Sequence, residues 1–162
     1  MSASTTSTSG RPIGALLRRA EAADADAIGD IWIAAFGATY AFPAAHTEEQ
    51  IREWIGHHLL NETETWVAEE DGADIIGFLS LTDDMLDQLY VRPGSTGHGI
   101  GGRLVTLAKT RRPRGLDLYT FAVNVGARRF YERHGFVAIA FGDGSGNEER
   151  QPDVRYRWTP EP

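Results

Sequence analysis

Apolar residues near the beginning of the chain recur at the spacing of a helix. A short strand is predicted over Ala15–Arg19, and a helix follows from about Ala22. Asp24 or Asp26 would lie in the first turn of this helix, where a carboxylate interacts favourably with the helix dipole. The side chains expected to face the core are Ile28, Ile31, Trp32 and Ala35.

A second helical pattern covers Thr47 to Leu60. Thr47 is placed to cap its N-terminus, and Gln50 is placed to return the hydrogen bond, as in a capping box. The apolar stripe predicted to face the core consists of Ile51, Trp54, Ile55 and Leu59.

The pattern then changes to the short apolar runs and turn residues of strands. The predicted strands here are Thr65–Glu69, Asp74–Leu81 and Met85–Val91. Asp71-Gly72 and Asp83-Asp84 provide the turns between them.

The remaining elements alternate between helices and strands. They are a helix from Gly99 to about Thr110, a strand at 116–123, a helix at 124–135, and strands at 136–141 and 154–159. Asn124 is placed as an N-cap and Gly135 as a helix stop. The order of elements predicts an α/β (α+β) fold, a sheet covered by helices.

Composition narrows the classes of protein that fit. The chain has 162 residues, which suggests one domain, and residues 13–162 are assigned to it. Residues 1–12, rich in Ser and Thr, are predicted to be a disordered tail. There is no cysteine, which excludes disulfides, thiolate nucleophiles and Cys-ligated zinc, and the histidines show no metal-site spacing.

Charge and hydropathy bear on partners and location. A formal net charge of −7 favours a cationic partner such as an amine over a nucleic acid, although acidity also serves solubility alone. No apolar run is long enough to span a bilayer, so no membrane partner is expected. The N-terminus lacks the features of a secretory signal, and the cytoplasm is the expected location.

Glycines cluster between a predicted strand and a predicted helix, in "VRPGSTGHGIGGRL". A strand, a glycine-rich turn and a helix N-terminus together form a common anion-binding arrangement. A Walker loop is excluded, because Ile100 stands where its lysine is required. "GHGIGG" satisfies the dinucleotide pattern G-x-G-x-x-G, but "RPGST" separates it from the strand and only 60 residues follow it, which leaves little room for a dinucleotide fold.

Coenzyme A is the third anion that this arrangement suits. "LYVRPGSTGHGIGGRL" resembles the acyl-CoA loop of the GNAT superfamily of N-acetyltransferases, whose pattern is [QR]-x-x-G-x-[GA] after a strand that ends in V-x-P. The pattern falls on residues 96–101, and Thr96 stands where the family usually has Gln or Arg. The amide cradle for the pyrophosphate needs only the glycines.

A second stretch resembles the same family. "NVGARRFYERHGF" is similar to the GNAT segment N-x-x-A-x-x-x-Y-x-x-x-G-F, and the two motifs occur in the family's order. The matching residues are Asn124, Ala127, Tyr131, Gly135 and Phe136. The resemblance covers 16–158 by element order and 86–136 by motif. It implies a mixed, mostly antiparallel sheet of six to seven strands, about four flanking helices, and a splayed strand pair that binds CoA.

The resemblance also implies a set of cofactor contacts. The pantetheine arm would pair with the strand Leu89-Tyr90-Val91, and Asn124 would bond the same arm. The amides expected to hold the pyrophosphate belong to Gly97, His98, Gly99, Ile100, Gly101 and Gly102. Acetyl-CoA is then the co-substrate, no metal is expected, and a homodimer is the assembly that family habit suggests.

Acyl transfer to an amine requires an oxyanion donor, an acid for the leaving thiolate and a base for the ammonium. The Leu89 amide is the expected oxyanion donor, and by resemblance Tyr131 is the general acid. Asp87 is the candidate general base, because two residues along a strand it should share a face with Leu89. A solvated or substrate-orienting role for Asp87 stays open. The rival bases are Tyr119, Asp83, Asp84 and Glu69.

The expected function is transfer of an acetyl group from acetyl-CoA to a primary amine by direct attack in a ternary complex. The acidic stretches "NEE" and "TEE" favour a small cationic amine as acceptor. The alternatives are an acyl-CoA sensor without turnover and an enzyme that acetylates protein N-termini or lysines. Acetylation of aminoacyl-tRNA is a further alternative, against which the acidic charge argues.

Overall fold

A computed structural model describes residues 14–72 and 74–162 of the chain. Within these residues seven strands form one sheet in the order β1-β2-β3-β4-β5-β7-β6. The strands are β1 (Ala15–Arg19), β2 (Glu64–Glu70), β3 (Asp74–Thr82), β4 (Met85–Val91), β5 (Leu116–Phe121), β6 (Val137–Gly142) and β7 (Asp153–Trp158). The disordered tail predicted at 1–12 lies outside the described residues, and the extent of the domain stays a prediction.

Helices cover both faces of this sheet. They are α1 (Ala25–Thr39), α2 (Glu48–Trp54), α3 (Leu60–Glu62), α4 (Ile100–Arg111) and α5 (Val125–Arg133). A 3-10 turn precedes α1, and a π-helical stretch, Ile55–Leu59, joins α2 to α3, so the described residues contain four helical bodies. The predicted fold class, mixed and mostly antiparallel, is confirmed, since β4 and β5 alone pair in parallel.

The helix boundaries follow from local capping interactions. Thr47 accepts a hydrogen bond from the Gln50 amide, and the Gln50 side chain accepts one from the Thr47 amide, which is the predicted capping box. Asn124 caps α5 by accepting from the Ala127 amide at 3.0 Å. Gly135 ends α5 with a φ of 84°, a conformation that glycine adopts at low cost.

The sheet separates two hydrophobic cores. One core lies under α4 and α5 and includes Leu79, Leu104, Leu118 and Tyr156. The other lies under α1 and α2 and is formed by Ile28, Ile31, Ile51, Ile55, Leu59, Val67 and Phe78. The central strand β3 is buried on both faces, as expected for a strand with helices on either side.

One predicted core residue lies at the surface. Trp54 is 37% exposed, whereas Ile51, Ile55 and Leu59 of the same predicted stripe are buried. Trp54 is the last residue of α2 and lies at the edge of the stripe, because a step of three residues from Ile51 turns about 60° to one side of it, and its ring stacks on His58. The prediction that Trp54 packs in the core was therefore wrong.

Strands β4 and β5 separate soon after they begin. They pair only at Met85 and Asp117, where the Asp117 amide donates to the Asp84 carbonyl at 2.9 Å. Beyond this point no pairing joins them within the described part of the chain. The predicted splayed strand pair is confirmed, and it opens a cleft at the carboxyl ends of both strands.

A β-bulge lies in β4 at the edge of this cleft. Gln88 pairs with Ser80 and Leu86 pairs with Leu81, so Asp87 is the extra residue between them. Leu86 and Leu89 consequently contact the same core although they are three residues apart. The argument that placed Asp87 on the face of Leu89 by simple alternation was wrong for this reason.

No helix among the described residues has the length and apolar character needed to cross a membrane. The predictions on location, nucleic acid and homodimer formation stay predictions.

Candidate active site

The cleft between β4 and β5 has a volume of ≈ 660 Å³. We refer to it as the β4–β5 cleft. It is lined by residues of both strands, of α5 and of the loops after α1 and β6, among them Tyr40, Asp87, Leu89, Asn124, Tyr131 and Gly144. Five of the residues predicted to act in the reaction or to bind the cofactor therefore line one cleft: Asp87, Leu89, Tyr90, Asn124 and Tyr131.

The free edge of β4 supplies backbone hydrogen-bonding groups to this cleft. The Arg92 amide donates to the Ile76 carbonyl of β3 at 2.7 Å. Backbone groups alternate in direction along a strand, so the amides of Leu89 and Val91 point away from β3 and towards the cleft. This edge has the polarity needed to pair with an extended ligand that lies in the cleft as an added strand.

The glycine-rich loop leads from β4 into the N-terminus of α4. Gly97 and Gly99 have φ values of 78° and 84°, and nothing lies within 4 Å of a Cβ built on either. The Arg103 amide is the first to bond within the helix, to Gly99, so the amides of Ile100, Gly101 and Gly102 have no intrahelical acceptor. His98 lies between the two left-handed glycines. An anion at this helix start meets free amides and the positive end of the dipole.

The structure gives Gly101 and Gly102 a second role. A Cβ on Gly101 would meet Phe130 Cζ at 3.2 Å, and one on Gly102 would meet His134 Cε1 at 3.3 Å. These two glycines let α4 pack closely against α5. Some of the glycines in this loop are thus needed because side chains of the protein itself lie against the backbone of α4.

Tyr131 lies on α5 where the helix faces the β4–β5 cleft. It is 9% exposed, and its ring contacts Phe130, Phe136 and Tyr156. Burial raises the pKa of the Tyr131 hydroxyl above the ordinary tyrosine value, and the proximity of Tyr40 raises it further. The hydroxyl therefore carries its proton at neutral pH, as a general acid must.

Asn124 lies at the start of α5, where β5 ends. Its Oδ1 caps the helix, and its Nδ2 donates to the Tyr40 hydroxyl at 2.9 Å. Burial raises the pKa of Tyr40, which the hydrogen bond from Asn124 opposes. Tyr40 also packs edge-on against Phe121 of β5.

Asp87 lines the β4–β5 cleft two residues after Met85, where β4 and β5 still pair. Partial burial of the carboxylate raises the pKa of Asp87 above the ordinary aspartate value. A hydrogen bond from Thr82 opposes this rise, and the neighbouring charge of Asp83 adds to it. A raised pKa moves the group towards the range in which a base is useful at neutral pH.

Comparisons with known proteins agree with this geometry. A family model described as an acetyltransferase (GNAT) domain matches residues 61–138. The chain is 32% identical over 120 residues to the peptidyl-lysine N-acetyltransferase YjaB of Salmonella typhimurium, a stretch that covers 74% of this chain and 81% of that one. The chain belongs to the GNAT acetyltransferase family.

Other GNAT proteins share the sequence or the fold. The peptidyl-lysine N-acetyltransferase YiaC of Escherichia coli is 28% identical over 125 residues, which cover 76% of this chain and 84% of YiaC. The solution structure of apo YjaB from Escherichia coli matches with a TM-score of 0.76 at 23% identity, over 90% of this chain and 98% of that one. The PaiA N-acetyltransferase of Thermoplasma acidophilum, solved with coenzyme A, matches with a TM-score of 0.69 at 24% identity, over 91% of this chain and 100% of that one. The predictions of the family and of acetyltransferase activity are confirmed.

The rival bases lie in different surroundings in this GNAT fold. Tyr119 lines the β4–β5 cleft, but its hydroxyl accepts a hydrogen bond from Arg155. Asp83 and Asp84 line a separate depression at the opposite end of β5. Glu69 is paired with Arg18 at 2.6 Å. Of the four rivals, Tyr119 alone joins Asp87 in the cleft.

A second cleft adjoins the first on the side of α1 and α2. It has a volume of ≈ 430 Å³, and its lining includes Trp32, His46, Trp54, Gln88, Glu148 and Glu149. We refer to it as the tryptophan cleft. Gln88 lines both clefts, and Trp32 Nε1 donates to Gln88 Oε1 at 3.2 Å. Gln88 is therefore a lining residue that the two clefts share.

Sequence reasoning missed Tyr40 and Gln88. Tyr40 follows α1 in a loop without a recognisable motif, and its contact with Asn124 spans 84 positions of the chain. Gln88 was within the predicted strand, but its place between two clefts depends on the packing of α1 against β4. Among the described residues no group of His, Asp or Glu side chains is arranged to hold a metal ion.

Proposed function

We propose that this GNAT enzyme transfers the acetyl group of acetyl-CoA to a primary amine inside the β4–β5 cleft. The observation that carries the proposal is the early separation of β4 from β5, which leaves the amides of Leu89 and Val91 without a strand partner. The pantetheine arm pairs with these amides, and its pyrophosphate takes the free amides at the start of α4. The related structure of PaiA, which was solved with coenzyme A, supports this ligand.

The reaction needs no enzyme nucleophile. The neutral amine nitrogen attacks the thioester carbonyl carbon, and the Leu89 amide stabilises the resulting oxyanion. The carbon–sulfur bond then breaks, and the Tyr131 hydroxyl protonates the departing thiolate of CoA. Asp87 takes the proton that the amine loses, directly or through water, and the tyrosinate recovers a proton from solvent.

Tyr131 suits the acid role through its surroundings. Tyr131 lines the same cleft as Leu89, and its hydroxyl carries a proton at neutral pH that it can give to the thiolate. Asp87 suits the base role because it lies on the same strand as the oxyanion donor and lines the same cleft.

Two classes of acceptor are supported by different observations. Acidic side chains around the clefts, among them Asp87, Glu148 and Glu149, favour a small cationic amine. The similarity to YjaB and YiaC, which are named peptidyl-lysine N-acetyltransferases, favours a lysine side chain of a protein. We propose the small cationic amine, because the tryptophan cleft has the dimensions of a small-molecule site.

Release of free CoA thiol from acetyl-CoA tests the proposal. The protein is mixed with acetyl-CoA and, in separate reactions, with small amines and with a lysine-containing peptide. Thiol release that depends on an amine, with an acetylated product in the mass spectrum, is the expected result. Binding of acetyl-CoA without release for any amine or peptide would favour an acyl-CoA sensor.

A further inference from the structure

The tryptophan cleft combines an apolar wall with an acidic end. We propose that it binds the acceptor as an amine that carries a second cationic group, with an aliphatic chain between the two. The chain lies on Trp32 and Trp54, the distal cation pairs with Glu148 and Glu149, and the reacting amino group passes Gln88 into the β4–β5 cleft. This inference rests on the acetyl transfer proposed above.

The apolar wall is built from two indoles, those of Trp54 and of Trp32, and Trp32 also packs against the core under α1 and α2. Trp54 is 37% exposed and lies at the edge of the core-facing stripe of α2. Trp32 stacks on Phe36, with ring centroids 5.0 Å apart, and is held by its hydrogen bond to Gln88. Large aromatic surfaces around a concave site are typical of binding for an apolar ligand body.

The acidic end lies on the loop between β6 and β7. Asn147 fixes this loop, since its Nδ2 donates to the Gln151 carbonyl at 2.7 Å and to Asp153 at 3.2 Å. The loop therefore presents Glu148 and Glu149 to the cleft from a defined position.

The surroundings of Glu148 favour a cation. Its carboxylate already contacts the ring of His46, which comes from the loop after α1. His46 is the one basic side chain among the described residues that line this cleft. Two carboxylates thus share one basic side chain, and a ligand ammonium would balance the excess of negative charge.

The reaction itself requires that the bound cation be a second group. The attacking amine must be neutral at the thioester carbonyl, so it cannot be the group that pairs with Glu148 or Glu149. Gln88 lines both clefts, which allows one ligand to occupy the two at once. A diamine supplies a neutral amino group for the attack and a distal ammonium for the carboxylates, whereas a simple monoamine supplies only the attacking group.

Matched amines test this inference. The kcat/KM of the full chain with acetyl-CoA is measured for 1,8-diaminooctane and for octylamine, which differ in the distal ammonium. We expect a preference of about tenfold for the diamine, equivalent to about 1.4 kcal/mol. Glu148→Gln and Glu149→Gln should reduce this preference severalfold. Glu161→Gln, which removes an exposed charge outside the cleft, is the matched control and should keep the preference.

The outcomes separate this inference from the proposed function. Equal use of both amines, or a preference that survives both glutamine variants, would overturn it, as would turnover of the lysine peptide alone. If no acceptor supports turnover, the proposed transfer fails, and calorimetry of 1,8-diaminooctane with the CoA-bound protein decides the inference separately. Diamine binding that weakens in Glu148→Gln but not in Glu161→Gln would support it, and no binding would overturn it.

Discussion

The Asn124 side-chain amide donates a hydrogen bond to the Tyr40 hydroxyl at 2.9 Å. This contact joins the end of α1 to the start of α5 across the β4–β5 cleft. Asn124 accepts from the Ala127 amide with its other side-chain atom, which fixes the orientation of its amide group. The Tyr40 hydroxyl thus accepts from Asn124, and it also hydrogen-bonds to Thr120 of β5.

Tyr40→Phe should weaken acetyl-CoA binding more than it weakens folding. The variant loses a neutral hydrogen bond, worth about 0.5–1.5 kcal/mol, and the hydroxyl beside the expected path of pantetheine. We expect the KM for acetyl-CoA to rise by about three- to tenfold, since about 1.4 kcal/mol corresponds to a factor of ten. Steady-state kinetics and a urea titration measure the two effects.

A double-mutant cycle identifies the contact as the cause. Asn124→Ala also removes the helix cap and should cost about 1 kcal/mol of stability, which Tyr40→Phe should not. The effects of the two substitutions on acetyl-CoA affinity should be less than additive. Fully additive effects would show that Tyr40 and Asn124 act independently on CoA binding.

Tyr131→Phe should reduce kcat and preserve CoA affinity. The ring keeps its contacts with Phe130 and Phe136, while the proton donor for the thiolate is lost. General acid catalysis contributes about 10²–10⁴-fold, and we expect a loss of kcat in this range. Calorimetry with CoA and single-turnover kinetics distinguish the two quantities. Tyr119→Phe, the same change in another cleft residue, should have a smaller effect, and an equal loss in both variants would contradict the role of Tyr131.

The pH dependence of kcat/KM should report Asp87. Its raised pKa means that the carboxylate forms, and activity rises, at a pH above the ordinary aspartate range. Asp83→Asn removes a neighbouring like charge, so the acidic limb of the profile should move to lower pH. Asp87→Asn should abolish this limb and lower the rate. A profile that is unchanged in both variants would assign the base to another group, with Tyr119 the next candidate in the cleft.

Glu64 should contribute to stability in a pH-dependent way. Burial alone would raise its pKa, but hydrogen bonds from Arg111, Trp66 and Arg112 outweigh burial and lower the pKa to about 2, from 4.5. Because the folded-state pKa lies below the unfolded value, the stabilisation is complete above 4.5 and is lost as pH falls towards 2. Urea midpoints at pH 7 and pH 3 should differ less in Glu64→Gln than in wild type. An equal difference in both proteins would contradict the assignment, with Glu161→Gln as the control.

The sequence predicted the elements well where local signals determine them. The strands Ala15–Arg19 and Met85–Val91 were predicted with the observed bounds, and Thr47 and Asn124 cap the helices expected of them. Turn residues, caps and alternation act over a few neighbouring positions, so they can be read directly from the chain.

Two predictions failed for different reasons. Asp87 lost its expected face because of a β-bulge, which shifts the phase of the strand repeat by one residue and has no signal in the local sequence. Trp54 lies at the edge of the apolar stripe of α2, where the sequence pattern does not decide between burial and exposure. Both residues line clefts near the proposed reaction.

In the candidate site, some residues could be predicted from continuous motifs and others could not. Its two motifs were recognisable because the glycine loop and α5 are continuous segments. Tyr40, Gln88 and the tryptophan cleft were not, because they depend on contacts between α1, β4 and the loop after β6. Tertiary packing places these groups, so only a structure brings them together.

Thermal melting with and without acetyl-CoA tests the central claim most directly. A ligand that binds only the folded state raises the midpoint by mass action, so saturating acetyl-CoA should raise Tm by about 5 °C or more. NADH and ATP serve as controls, because a glycine-rich loop before a helix also binds the phosphates of such nucleotides in other proteins. A shift with acetyl-CoA alone is the predicted result. No shift with acetyl-CoA, or a shift with NADH only, would contradict the assignment of the β4–β5 cleft and the glycine loop to acetyl-CoA.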